Sequence, residues 1–132
     1  MKLDMFLNLW RVRKTDKDKA ELLAAHIKTA YVPIATKIDK ANDVIAASFY
    51  KDGVFHQNSP LKYVNTCLSL IQLYTDLDLP AAAWYDSFDK LNSINLFELV
   101  MQCINEYELK EYDMIINMVA SDAIMNEKMD IE

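Results

Sequence analysis

Apolar residues recur along this chain at the three- and four-residue spacing of helices, with little of the alternation that marks strands. Residues 2–13 carry one apolar stripe and predict a first helix. Thr15 followed by Asp18 resembles a capping box and predicts a second helix over residues 16–30. Pro33 suits the first position of a third helix that continues to Phe49, because a first-turn residue needs no N–H donor.

The second half of the chain predicts further helices. Ser59 as cap and Pro60 in the first turn predict a helix over residues 61–75. Apolar residues surround this helix on most sides, as is typical of a buried helix. Three more predicted helices follow: residues 81–91, 95–106 and 108–129. We therefore expect an all-α fold, a compact bundle of six or seven helices around a central buried helix at about residues 60–75.

Gly53 is the only glycine in 132 residues, whereas average usage would give roughly nine. Tight turns and phosphate-binding loops draw on glycine, so its scarcity argues against a strand-rich fold and against nucleotide-binding motifs. The Asp52-Gly53 pair predicts at most one tiny β-hairpin near residues 49–56. The length of 132 residues and the globular balance of 52% hydrophobic and 26% charged residues predict a single helical domain over residues 1–132.

Few residues suit catalysis or metal binding. The two histidines are distant in sequence: His26 is predicted to be a hydrogen-bonded residue at the core or its boundary, and His56 to be exposed. Cys67 and Cys103 lie in apolar helical patterns and are predicted to be core thiols. No Cys/His ligand spacing and no Glu-x-x-His pattern occurs. We therefore expect no enzyme, no catalytic residue, no metal, no cofactor and no small-molecule substrate.

Charge is divided unevenly along the chain. Residues 1–66 hold 11 Lys and Arg against 7 Asp and Glu, a net charge of +4, and residues 67–132 hold 3 against 13, a net charge of −10. This asymmetry could let copies of the chain meet positive face to negative face. The acidic half, with Glu106, Glu108 and Glu111, could alternatively mimic nucleic acid. The overall charge of −6 argues against direct binding of nucleic acid.

Aromatic residues supply the remaining interface candidates. Tyr31, Phe49, Tyr50 and Phe55 lie around the predicted hairpin and are expected to be exposed anchors, since aromatic side chains are enriched at interface cores. Trp84 is a further candidate. The methionines of the last predicted helix are expected to lie more in the core than at a surface.

No membrane or export signal is evident in the sequence. Residues 1–14 lack the long apolar region and cleavage site of a signal peptide, and no apolar run is long enough to span a bilayer. We expect no membrane partner. Cys67 and Cys103, predicted to be core thiols with a disulfide between them as the less favoured alternative, suit a reducing compartment such as the cytoplasm.

Several segments together resemble a known class of proteins. They are Tyr31-Val32-Pro33, the residues from Tyr50 to Phe55, Asn58-Ser59-Pro60 with Leu61-Lys62-Tyr63, Leu73 to Asp76, and Tyr112 to Val119. Over residues 28–127 the chain resembles small helical structural or assembly proteins from the morphogenesis cassettes of tailed phages and prophages of Gram-positive bacteria.

That resemblance implies a non-enzymatic role in the virion or in its assembly in the host cytoplasm. The first expectation is a head-tail connector or neck component, which would contact other phage structural proteins and copies of itself. One alternative is a tail assembly chaperone that binds the tape-measure protein. Another alternative, from the charge pattern, is an acidic inhibitor of a host defence or nucleic-acid-binding protein.

Overall fold

The computed structural model describes the backbone of residues 1–131 and the side chains of residues 1–128. Its seven α-helices within this range are α1 (Leu3–Arg11), α2 (Asp16–Ala24), α3 (Ile34–Phe49), α4 (Ser59–Tyr74), α5 (Trp84–Ser93), α6 (Leu96–Gln102) and α7 (Glu106–Ile131). A short 3₁₀ helix, Ala81–Ala83, precedes α5, and the strands β1 (Tyr50–Lys51) and β2 (Val54–Phe55) form one antiparallel hairpin after α3. The prediction of an all-α fold with one tiny hairpin is confirmed.

Contacts divide the chain into two compact units. Unit 1 consists of Met1–Ala30 and Leu70–Asn105, and unit 2 consists of Tyr31–Ser69 and the segment from Glu106 onward. Helix α4 supplies its first part to unit 2 and its last turn to unit 1. The expectation of a single domain stays a prediction.

In unit 1, α1 buries the apolar stripe that the sequence predicts. Phe6 is fully buried, and Leu3, Leu7 and Trp10 are nearly so. Helix α2 begins as predicted, since the Thr15 hydroxyl accepts a hydrogen bond from the Asp18 N–H at 3.1 Å. It ends at Ala24, well before residue 30, because the following backbone pairs with the end of α4: the Lys28 N–H donates to the Tyr74 carbonyl at 2.8 Å.

In unit 2, α3 packs along α7. Their buried side chains include Ile45 and Phe49 from α3 and Tyr112 and Ile116 from α7. Polar groups inside this core are paired: the Asn65 amide donates to the Ser48 hydroxyl at 2.9 Å, and Ser69 and Tyr112 share a hydrogen bond at 2.7 Å. Each buried side-chain nitrogen or oxygen in the described part of the chain has a partner.

The start of α4 corrects one capping assignment. Asn58, rather than Ser59, is the capping residue, because its side-chain oxygen accepts a hydrogen bond from the Leu61 N–H at 3.0 Å. The rest of the helix follows the prediction of extensive burial. Its buried residues are Asn65, Cys67, Leu68, Ser69, Ile71, Leu73 and Tyr74.

The hairpin forms where the sequence predicts it. Tyr50 pairs with Phe55 and Lys51 with Val54. Asp52 and Gly53 both have positive φ, 54° and 77°, which is the geometry of the two-residue turn that matches the strand twist. Glycine suits this position because of its backbone angle, since no atom lies within 4 Å of the Cβ that another residue would add.

Two helix boundaries in the last third differ from prediction. The predicted helix over residues 81–91 divides into the 3₁₀ turn and α5. The break between the last two helices lies at residues 103–105 rather than at residue 107. Helix α6 closes in a tight turn, in which the Cys103 and Ile104 N–H groups donate to the Val100 and Met101 carbonyls.

Candidate interaction surface

The hairpin exposes fewer aromatic anchors than predicted. Phe49 is only 1% exposed, so the expectation that it is an exposed anchor is wrong. It lies on the inner face of α3, and its ring meets the edge of Phe55 at 5.8 Å between centroids. Phe55 is half-buried because Tyr50 packs against it as well, at 5.5 Å. Tyr50 and Val54 are the exposed large apolar side chains of the hairpin.

Trp84, the candidate outside the hairpin, begins α5 and is half-buried. Its neighbour Tyr85 is the exposed aromatic residue of that helix, at 52%. The Trp84 ring is therefore only partly exposed on the surface of unit 1.

Unit 2 contains a buried ion cluster that the helical patterns and charges above do not predict. Lys37 on α3 has no solvent exposure, and its ammonium lies 2.7 Å from a carboxylate oxygen of Glu111 and 2.9 Å from one of Glu108. The ammonium also lies 4.2 Å from the centre of the Tyr31 ring, close enough for a cation–π contact. The Tyr31 hydroxyl donates to Glu111 at 3.3 Å. We call Tyr31, Lys37, Glu108 and Glu111 the Lys37 cluster.

The cluster keeps Lys37 charged. Burial by itself lowers the pKa of the Lys37 ammonium, but its hydrogen bonds to Glu111 and Glu108, together with the charges of both carboxylates, outweigh that effect and raise the pKa above its ordinary value. A buried cation with two anionic partners joins α3 to the first turns of α7.

This cluster changes the interpretation of the acidic candidates. A surface that mimics nucleic acid needs its carboxylates free in solvent, yet the Glu108 and Glu111 side chains are only 12% and 37% exposed and both contact Lys37. Glu106 does face solvent, where it pairs with Lys110 one turn later at 3.2 Å. The sequence holds one signal for the cluster: Lys37 lies four residues before Ala41 and eight before Ile45, on the apolar stripe of α3.

Helix α7 has a second apolar stripe, on the side opposite its buried residues. Four large apolar side chains at spacings of seven, four and seven residues form this stripe and are each more than half exposed: Tyr107, Met114, Met118 and Met125. We call them the outer face of α7. Their exposure corrects the expectation that these methionines lie in the core. Met129 belongs to the same expectation and lies outside the described side chains.

Polar and acidic residues border the outer face of α7. Asp113 and Asp122 are exposed on either side of Met114 and Met118. These four residues, with Lys110, Asn117 and Ser121, line a shallow surface depression of about 550 Å³. The outer face of α7 is therefore a set of apolar side chains bordered by the acidic Asp113 and Asp122.

Helix α1 also has apolar residues on its exposed side. Met5, Leu9 and Val12 are exposed by 57%, 37% and 67%. Their spacing of four and three residues places them on one stripe, which we call the outer face of α1. Lys2 and Arg13 lie beside it. The sequence held this signal, because apolar residues of this segment occur outside the predicted inner stripe.

Unit 1 contains two further surface cavities. One, of about 360 Å³, lies beside the outer face of α1 and is lined by Lys2, Met5, Leu79 and Pro80, among others. Another, of about 570 Å³, has lining residues from α1, α2 and α6, both apolar, such as Trp10 and Leu99, and charged, Asp16 and Lys19.

The histidines and cysteines divide between confirmed and corrected predictions. His26 is a hydrogen-bonded boundary residue, as predicted: its Nδ1 lies 2.8 Å from an Asp76 carboxylate oxygen. His56 is exposed, as predicted. Cys67 is a buried thiol whose pKa is raised by burial to about 11. Cys103 is exposed, which corrects its prediction as a core thiol, because α6 turns this position outward at its end.

Comparisons with known proteins add no relative to this description. No protein-family model, no curated protein and no solved structure matches the chain.

Among the described residues, no group of three or more His, Cys, Asp or Glu side chains could hold a metal ion. No helix in that part of the chain combines the length and the apolar character needed to cross a membrane.

Proposed function

We propose that this chain is a non-enzymatic structural or assembly protein of a tailed phage that works by binding other proteins, in the virion or in the host cytoplasm. The phage setting rests on the resemblance of residues 28–127 described above. The outer face of α7 carries the proposal of protein binding, because large apolar side chains line one side of a helix whose opposite side already forms the core.

The outer face has the dimensions and chemistry of a protein-binding helix. From Tyr107 to Met125 it extends for about 27 Å at the α-helical rise. Methionine and tyrosine are enriched at interface cores, and unbranched methionine adapts its shape to a partner. Single exposed apolar residues are ordinary, whereas several on one side of a helix, with Met114 and Met118 one turn apart, indicate an interaction surface.

A head-tail connector is the leading form of this function. Connectors present as rings need contacts between two different surfaces of the same protein. The acidic setting of the outer face of α7 and the basic first half of the chain supply surfaces of opposite charge. Tyr50 and Val54 on the hairpin offer a further exposed patch, although Phe49 does not contribute to it.

A tail assembly chaperone is the second candidate, and the exposed methionines of α7 favour it. A chaperone of an apolar tape-measure segment needs a surface that accepts varied apolar side chains. An acidic decoy for a nucleic-acid-binding protein has less support, because Glu108 and Glu111 already bind Lys37.

Light scattering of the purified chain, alone and mixed with the products of the neighbouring genes, tests this proposal. We expect an assembly larger than one chain, either of the protein with itself or with one of those proteins. Replacing Met114 and Met118 by serine should abolish that assembly, whereas Tyr85→Ser, at a similarly exposed aromatic residue on α5, should leave it intact. A chain that stays monomeric and binds none of its neighbours would contradict the proposal.

A further inference from the structure

The outer faces of α1 and α7 have matching chemistry. Each is a row of exposed apolar side chains at helical spacing, with one methionine on α1 and three on α7. Neither row is needed to form the core, because each helix buries a different set of residues on its opposite side. Two such rows on different copies can cover one another, as facing helices do when side chains of one fit between those of the other.

The charges that border the two faces are opposite. Residues 1–14 hold four Lys and Arg against one Asp, and residues 106–131 hold two Lys against seven Asp and Glu. Of those acidic residues, Glu108 and Glu111 pair with Lys37 and Glu106 pairs with Lys110, whereas Asp113 and Asp122 are exposed acids beside the methionines. Lys2 and Arg13 are the exposed cations beside the outer face of α1. Opposite charges at the rim favour this pairing and disfavour the pairing of either face with itself.

We propose that the outer face of α7 binds the outer face of α1 on a second copy of this chain. This inference rests on the proposed function, because it names the partner of the α7 surface. The apolar rows form the centre of the contact, and the acids beside the outer face of α7 meet the cations beside the outer face of α1 at its rim. The cavity beside Met5 gives a recess that can receive a methionine side chain of the incoming α7. Two acids also line this cavity, and both are paired: Asp4 with Lys90 and Asp78 with the N-terminal amine.

Such a contact is heterologous, because it joins two different surfaces. Each copy carries one face of each kind, so the contact can repeat between copies. Its rim charges are exposed to solvent, so the association weakens as salt screens them.

Two variants that each lack one face test the inference. One carries Met5→Ser and Leu9→Ser, and the other carries Met114→Ser and Met118→Ser. Each variant alone cannot form the repeating contact and should sediment as a monomer or nearly so, with the dissociation constant raised by about tenfold for each lost methionine or leucine. Mixed together, the two variants retain one intact pair of faces and should form a one-to-one dimer that grows no further, as measured by sedimentation velocity.

Controls separate this contact from loss of folding. Circular dichroism checks that each variant keeps its helices. If Leu9→Ser unfolds α1, Val12→Ser, at a 67% exposed position beyond the end of the helix, takes its place. A chain with Tyr85→Ser and Ile94→Ser, two exposed apolar positions outside both faces, should associate like the unaltered protein.

The outcomes also distinguish this inference from the proposed function. Folded variants that associate as the unaltered chain does, or a mixture that stays monomeric while the unaltered chain assembles, would overturn the contact between α1 and α7. An unaltered chain that is monomeric but binds a neighbouring phage protein through α7 would overturn this inference and leave the proposed function standing. A monomer that binds no neighbour would contradict both.

Discussion

The two sides of α7 differ in the kind of residue they carry. The inner side presents Tyr112, Ile115 and Ile116, whose stiff rings and branched chains are fixed in the core of unit 2. The outer side presents Met114, Met118 and Met125, which are flexible and more than half exposed. Stiff side chains specify one packing arrangement, whereas methionine adapts to whatever covers it. We infer that one helix both completes the fold and supplies a binding surface.

Disrupting the Lys37 cluster should have the largest effect on the inner side of α7, because the cluster holds the first turns of α7 against α3. Lys37→Met removes the cation and leaves Glu108 and Glu111 as poorly solvated, mutually repelling anions. We expect a loss of about 3 kcal/mol in the free energy of unfolding, measured by urea denaturation. The triple variant with Glu108→Gln and Glu111→Gln should recover part of this loss, and equal stability of the single and triple variants would contradict the account.

High pH should have the second-largest effect, a fall in the free energy of unfolding caused by two buried groups. Burial raises the pKa of the Tyr112 hydroxyl to about 12 and that of the Cys67 thiol to about 11. In the unfolded chain both groups ionise at their lower ordinary pKa, so unfolding releases protons at alkaline pH and stability falls as pH rises. The decline should begin near the ordinary thiol pKa of about 8.5 and continue to about pH 12.

Urea denaturation across this pH range measures the decline. Cys67→Ala should remove its earlier part, between the ordinary thiol pKa and about pH 11, and leave the part due to Tyr112. A curve of stability against pH that Cys67→Ala leaves unchanged in shape would show that the thiol is not buried in the protonated form.

A single hydrogen bond on the inner side gives a smaller effect. Tyr112→Phe removes the hydroxyl that shares a hydrogen bond with Ser69 at 2.7 Å. Ser69 keeps its bond to the Thr66 carbonyl, so it is not left without a partner. We expect a loss of about 1 kcal/mol in the free energy of unfolding. Tyr85→Phe, at a 52% exposed tyrosine of α5, serves as the control, with little change.

Much of the fold follows from residue patterns, and much of the surface does not. The Thr15 cap, the Asp52-Gly53 turn and the apolar stripe of α1 are local signals, so the sequence is sufficient to predict them. The end of α2 at Ala24 depends on pairing of residues 27 and 28 with the end of α4, which no local pattern shows.

The candidate interface also depends on contacts between distant parts of the chain, which local patterns do not show. Exposure of Met114, Met118 and Met125 depends on which side of α7 faces α3, and a helix that is apolar on both sides does not reveal this in its sequence. Lys37 could have been noticed on the inner stripe of α3, but its two carboxylate partners lie more than seventy residues away. Phe49 adjoins the hairpin, which predicts exposure, whereas its spacing of four residues from Ile45 predicts burial on the inner face of α3.

Paired measurements on the Met114→Ser, Met118→Ser double variant test most directly whether the outer side of α7 binds while the inner side folds. Sedimentation velocity over a series of concentrations gives the mass, and urea denaturation of the same samples gives the stability. We predict that the unaltered chain gains mass with concentration, that the variant stays at the mass of one chain, and that the unfolding free energies at high dilution differ by less than about 0.5 kcal/mol. A variant that unfolds much more easily, or that assembles as the unaltered chain does, would contradict this division of α7.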